Sequence, residues 1–93
     1  MSDVLNQLFA IIEARKSNPP VDSYTAKLFA AGTNEIVKKV GEEASEVIVA
    51  AKDESDSRLV SEISDLVYHA MVLLASRGVA WRAVEEELAR RFR

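Results

Sequence analysis

The sequence predicts an all-α protein on three observations. Apolar residues recur at helical spacing along most of the chain. No stretch alternates apolar and polar residues long enough to suggest a sheet, and three Gly and two Pro leave little material for hairpin turns. Ninety-three residues suit one domain, 1–93, near the lower end of the usual size range. With 48% of residues apolar, a core is within reach. A formal net charge of -3 is that of an ordinary water-facing surface and lacks the clustered basic face of a nucleic-acid binder. No apolar run approaches the ~20 residues of a membrane span, and Met1-Ser2-Asp3-Val4 lacks the basic start of a signal peptide. The absence of cysteine excludes disulfides and thiolate metal sites. These features predict a cytoplasmic protein with neither a nucleic-acid nor a membrane partner.

The first helix is expected over about residues 3 to 16, where Val4, Leu5, Leu8, Ile11 and Ile12 make one apolar stripe. Ser2 or Asp3 offers an N-cap, and Arg15 and Lys16 suit the negative end of the helix dipole. Asn18-Pro19-Pro20 ends it, because a proline ring cannot continue a helix. Residues 21 to 33 are the least regular part. Asp22 or Ser23 can cap a short helix through Tyr24-Thr25-Ala26-Lys27-Leu28-Phe29, with Gly32 as its stop. Its hydroxyls and one cation suit a ligand-binding loop; the plainer reading is a capped turn with Leu28 and Phe29 packed inward.

Thr33 or Asn34 can cap the next helix, which runs to about Asp53. At ~100° per residue, Ile36, Val37, Val40, Ala44, Val47, Ile48 and Ala51 share an arc, with Lys39, Glu43, Glu46 and Ala50 just beyond one edge. Gly41 costs roughly 1 kcal/mol relative to Ala inside a helix, a hint of close approach by another backbone or a ligand. Ser55 or Asp56 then caps a helix ending near Arg77, with Gly78 just past it. Its core arc is Leu59, Ile63, Leu66, Ala70, Leu73 and Leu74. Arg58, Glu62, Asp65 and His69 border one edge, and Val60, Val67 and Met71 extend the other. A helix this widely apolar needs partners on two sides. An antiparallel hairpin, among four to five helices in all, is therefore expected to complete a four-helix bundle as a homodimer. The last helix, about Ala80 to Arg93, carries Trp81, Val84, Leu88 and Phe92 and starts without a good cap. Its glutamates at 85–87 and arginines at 90, 91 and 93 follow the dipole and make a solvated face.

Function is carried by the two acidic edges. Glu43 and Glu46 are neighbours on one helix, as are Glu62 and Asp65 on the next. Antiparallel packing brings the four carboxylates together beside the core. Like charges at close range raise one another's pKa and cost stability, and only Lys39 and Arg58 stand nearby to compensate. A lone Glu-x-x-Glu is common on surface helices; a second acidic pair on the equivalent side of the next helix lifts the pattern above that background. Oxygen-only ligands select hard cations, Mg²⁺ or Mn²⁺, over zinc, and Mg²⁺ usually shares phosphate oxygens with a substrate. Carboxylates, cation and Lys39 thus point to phosphate chemistry. His69, one turn after Asp65, fits as a ligand, as a partner orienting one, or as a flank residue. A di-iron bundle requires Glu-x-x-His motifs and is disfavoured by the spacing of four.

Glu43-x-x-Glu46, then residues 47–61, then Glu62-x-x-Asp65, resembles the signature of the MazG-like all-α nucleotide pyrophosphohydrolases. Adding Ser23-Tyr24-Thr25-Ala26-Lys27-Leu28-Phe29, Lys39-Val40-Gly41-Glu42-Glu43-Ala44 and Tyr68-His69, the chain is similar to the phosphoribosyl-ATP pyrophosphohydrolase family, which acts second in histidine biosynthesis. The resemblance runs from about residue 22 to the C-terminus, and the length suits the stand-alone form rather than the fusion with the cyclohydrolase. It implies Mg²⁺-dependent hydrolysis of phosphoribosyl-ATP between the α and β phosphates, giving phosphoribosyl-AMP and pyrophosphate. It further implies that Glu43, Glu46, Glu62 and Asp65 hold the metal and that one of them, with Glu43 and Glu46 the candidates, orients or deprotonates the attacking water. By motif position Lys39 and Lys27 would contact phosphate, and Ser23, Tyr24 and Thr25 would position substrate. Ala80 departs from the family's Ser or Thr cap, at ~1 kcal/mol of helix stability. Two alternatives stay open: the same chemistry on an ordinary or damaged (d)NTP, and a non-catalytic helical dimerisation module.

Overall fold

The computed structural model describes residues 3–93, Asp3 by its backbone alone, so the expected capping role of Ser2 or Asp3 lies outside what it describes. Five helices follow in order: α1 (Asp3–Ser17), α2 (Tyr24–Ala31), α3 (Thr33–Asp53), α4 (Asp56–Ser76) and α5 (Trp81–Arg91), with no strand among the described residues. The all-α expectation holds.

Each boundary has a local cause. α1 stops at Ser17, immediately before Asn18-Pro19-Pro20. Ser23 caps α2, its hydroxyl accepting the Ala26 N–H at 3.1 Å. Gly32 alone joins α2 to α3, with φ 100° and ψ 174°, a conformation costly for any residue with a Cβ. Its N–H donates to the Leu28 carbonyl and its own carbonyl accepts from Ile36, each at 3.2 Å. Thr33 and Asn34 therefore do not cap α3: the glycine turn leaves Thr33 already helical, and no side chain caps that end. Ser55 caps α4 through the Arg58 N–H at 3.3 Å. At the other end, Gly78 adopts φ 70°, its N–H reaches the Ala75 carbonyl at 3.1 Å, and Val79 N–H reaches Leu74 at 3.0 Å. That pair of bonds closes the helix C-terminus. Lys16 adds its ammonium to the Ala75 carbonyl at 2.7 Å, so a cation on α1 serves the negative end of α4.

α3 and α4 form a hairpin; α1 and α2 pack against it, and α5 touches only α1 and α4. The core draws Phe9 and Ile12 from α1, Leu28 from α2, Ile36 from α3, and Met71, Val72 and Ala75 from α4. The stripe expected on α1 is shifted: Leu5 and Leu8 are half-buried, Phe9 takes a core position, and Val4 and Ile11 face outward. The hairpin arcs are rotated as well. Ala50, placed beyond the edge of the α3 arc, is buried, while Val37, Ile48 and Ala51 are exposed. On α4, Glu62 and His69 are buried, and Val60 and Ile63 are exposed. Each helix thus turns its acidic edge toward its neighbour, because an arc this wide exceeds what one neighbour can cover. α4 is also long and apolar enough, by length and composition alone, to cross a membrane, contrary to the expectation of no such run. Here Met71, Val72 and Ala75 spend that apolarity on the core. On α5, Trp81 packs against the core, Leu88 is exposed, and Phe92 falls just past the helix end, outside the expected stripe.

Nothing crowds a Cβ built at Gly78, so its substitution tests backbone conformation alone. Gly78→Ala should cost about 1 kcal/mol, lowering the Tm by roughly 4–8 °C in a thermal melt. An unchanged Tm would show that the turn does not require glycine.

Candidate metal centre

Glu43 on α3 and Glu62 and Asp65 on α4 converge across the hairpin: one carboxylate oxygen from each lies within 4.8 Å of the other two. The spacing of three puts Glu62 and Asp65 on neighbouring positions of one helix face, and the rotation of α3 toward its acidic edge brings Glu43 to meet them. Glu62 is buried, Glu43 half-buried and Asp65 exposed, so the group runs from the interior to the surface. Glu46 is exposed and stands beside the trio rather than among it. Its charge nonetheless acts on Glu62.

The Glu62 carboxyl is pushed above the ordinary glutamate range, first by burial and then by the charge of Glu46, with Asp65 and Glu43 adding smaller pushes and Arg58 opposing them. Arg58 pairs with Glu62 and also with Glu54, at 3.2 Å. One guanidinium shared between two carboxylates does not offset burial and three acidic neighbours. Lys39, on α3, is close enough to feel the charge of Glu43. Its ammonium is 3.3 Å from Glu42, and its pKa is raised by that bond, then by the phenol of Tyr24, with Glu43 contributing less.

The other expected site residues are distributed unevenly. Ser23, besides capping α2, accepts from Arg15 at 3.4 Å. Thr25 is buried and its hydroxyl is bonded to that of Tyr68. Lys27 is exposed on α2. Tyr24 is half-exposed, with its hydroxyl 3.0 Å from Nε2 of His69, while Nδ1 of the same ring is 2.7 Å from the Asp65 carbonyl. Sequence reasoning places Arg58 as a compensating cation on the edge of the acidic stripe and leaves His69 open between a ligand, a partner orienting one and a flank residue. The spacing of four from Arg58 to Glu62 signals their pairing; the α2–α4 contacts have no such local signal, because they link residues 43 and 45 apart.

Three oxygen ligands on opposite arms of a hairpin, one of them buried and under-compensated, fit a hard divalent cation. Fold and cluster define a class: all-helical proteins with a carboxylate centre between the arms of a hairpin. Within it, this chain belongs to the phosphoribosyl-ATP pyrophosphohydrolase family, whose model matches residues 5–92. It is 49% identical over 90 residues to a phosphoribosyl-ATP pyrophosphatase of Clostridium botulinum (strain Kyoto / Type A2), covering 97% of this chain and 82% of that protein. To the phosphoribosyl-ATP pyrophosphatase of Lactiplantibacillus plantarum it is 48% identical over 87 residues, 94% of this chain and 82% of the relative. It is also 44% identical over 90 residues to the histidine biosynthesis bifunctional protein HisIE of Parasynechococcus marenigrum. That match covers 97% of this chain but only 40% of the longer relative.

The shift at Glu62 fixes the sign of a pH effect. The folded protein holds that proton more tightly than the unfolded chain, so ion-free protein loses stability as pH rises from the ordinary glutamate value through the raised one. Glu46→Gln removes the largest charge acting on Glu62 and should raise the ion-free Tm near neutral pH. A divalent cation at a hundred times its Kd should stabilise native protein by about 2.7 kcal/mol, on the order of 10 °C in Tm, with less effect at pH 5. Thermal melts with EDTA and with Mg²⁺ or Mn²⁺ measure both; no cation-dependent shift at neutral pH would contradict the site.

Proposed function

We propose that this chain, acting as a single domain in the cytoplasm, hydrolyses phosphoribosyl-ATP between its α and β phosphates to phosphoribosyl-AMP and pyrophosphate, a step of histidine biosynthesis. The observation that carries the proposal is the convergence of Glu43, Glu62 and Asp65 in a chain of this family. Glu43, Glu62 and Asp65, with Glu46 beside them, would hold Mg²⁺, or Mn²⁺ in its place. When bound, that ion neutralises phosphate charge and lowers the pKa of a water nucleophile. Glu43 or Glu46 accepts the proton of the attacking water. The water oxygen bonds to one phosphorus of the α–β bridge as that phosphorus loses its bond to the bridging oxygen, which departs with the other product, so that phosphoribosyl-AMP and pyrophosphate separate. Lys39, adjoining the cluster, contacts the phosphates and balances their charge. Lys27 offers a second, exposed cation. Tyr24 faces the substrate, and Ser23 and Thr25 hold the α2 start that carries it.

We further propose that the functional unit is a homodimer built on the outer face of the hairpin. Val37, Ile48 and Ala51 on α3 and Val60 and Ile63 on α4 are exposed at helical spacing. The chain exposes 6460 Å², where a folded monomer of this mass exposes about 5,400 Å². Its radius of gyration is 14.1 Å, against about 12 Å for a compact domain of this length. A second copy packing hairpin to hairpin supplies the missing burial. Sedimentation should find a dimer, and Ile48→Glu should shift it to monomer; a native monomer at micromolar concentration would overturn the arrangement.

Activity is tested by incubating the protein with phosphoribosyl-ATP and Mg²⁺ and measuring pyrophosphate. Glu43→Gln or Glu62→Gln should lower release by at least about a hundredfold, since even partners behind a metal ligand are worth 10–100-fold. A native protein inert toward phosphoribosyl-ATP, or one that prefers an ordinary nucleoside triphosphate, would overturn the assignment.

A further inference from the structure

We infer that His69 is a positioning residue that fixes the Tyr24 hydroxyl as an acceptor for a hydrogen-bond donor on the nucleoside half of the substrate. The inference deepens the proposed function and rests on it. It begins from a carbonyl. The main-chain oxygen of Asp65, 2.7 Å from Nδ1 of His69, has no hydrogen to give, so Nδ1 carries the proton. In the neutral imidazole that tautomer leaves a lone pair on Nε2, and the Tyr24 hydroxyl 3.0 Å away donates into it. The phenol's one hydrogen is then committed, and its oxygen can only accept from anything else that approaches.

An acceptor of this kind has no use for a polyphosphate, whose ionised oxygens also only accept. Ribose hydroxyls and amino groups of a base are donors, and they are what Tyr24 can bind. The phosphates have their own partner close by: Lys39 is near enough to Tyr24 for the phenol to raise its pKa, and near enough to Glu43 to feel the acid cluster. The site thus has a cationic, carboxylate-flanked part for phosphate and an acceptor part for the sugar or base. His69 is 5% exposed and acts through Tyr24, which is 49% exposed.

The surroundings hold the pair in place. Consecutive residues of α2, Tyr24 and Thr25, bond consecutive residues of α4, His69 and Tyr68, making a two-point clasp. The His69 ring meets Tyr68 edge-on with centroids 4.8 Å apart, and Tyr24 stacks on Tyr68 at 6.3 Å. Through the Asp65 carbonyl the clasp is anchored to a residue of the acid cluster, so the nucleoside-reading oxygen and the candidate metal centre keep a fixed spacing.

The test compares two ligands in the presence of Mg²⁺: α,β-methylene-ATP, which carries donors on its nucleoside and is not cleaved at that bridge, and inorganic tripolyphosphate, which carries none. Tyr24→Phe and His69→Leu should each weaken the nucleotide about tenfold by calorimetry and leave tripolyphosphate within about twofold. The double variant should bind the nucleotide no worse than Tyr24→Phe alone, because both changes remove one interaction. His69→Gln, whose amide oxygen can still accept from Tyr24, should recover much of the loss. Equal weakening of both ligands would assign the clasp to scaffolding, and no weakening of the nucleotide in the folded Tyr24→Phe protein would overturn the inference outright. Because binding is read without turnover, failure of the native protein to cleave phosphoribosyl-ATP would count against the proposed function and leave this comparison intact.

Discussion

Burying a carboxylate among other carboxylates is the constraint on which the rest of this molecule turns. Glu62 lies inside the hairpin with Asp65 on its own helix and Glu43 and Glu46 across from it, and burial and those charges together outweigh the one arginine that opposes them. Such an arrangement costs stability and is retained only where something else holds it together. What holds it is the packing of α3 on α4, where Ile36 joins Met71, Val72 and Ala75 in the core. Glu62 is therefore part of the helix contact itself, and it cannot turn into water without opening that contact, whereas Asp65 and Glu46 already face solvent.

The same rotation that brings the acids inward leaves apolar side chains outward. An α-helix has a fixed circumference, and α3 and α4 divide theirs between the acidic contact and the other helices packed on them. Val37, Ile48, Val60 and Ile63 are what remains. Acid cluster and exposed apolar face are thus consequences of one geometric choice, which ties the proposed chemistry to the proposed assembly.

Most elements were legible in the sequence because their punctuation is local. Asn18-Pro19-Pro20, the caps Ser23 and Ser55, and the glycines at 32 and 78 all act where they were expected to act. Part of the acidic pattern was legible too: Glu62 and Asp65 share a face as their spacing of three requires, and Glu43 meets them, while Glu46, expected with them, stands outside the trio. Facing was less so. Phe9 against Ile11 on α1, and Ala50 against Ile48 on α3, are decided by which neighbour arrives first at an arc apolar all round, and hydrophobicity alone does not rank such residues. The Thr33 cap failed because the turn at Gly32 leaves Thr33 already inside the helix, with Gly32 in the cap position. The Tyr24–His69 and Thr25–Tyr68 bonds were out of reach, because nothing within either segment announces a partner so far along the chain.

The central claim is that carboxylates from both arms of one hairpin share a single cation. Anomalous scattering from crystals of the protein soaked in Mn²⁺ examines it directly. The expected result is one strong peak at coordination distance from oxygens of Glu43, Glu62 and Asp65, lost on washing with EDTA. Manganese bound only at scattered surface acids, with those three side chains turned to solvent, would contradict it.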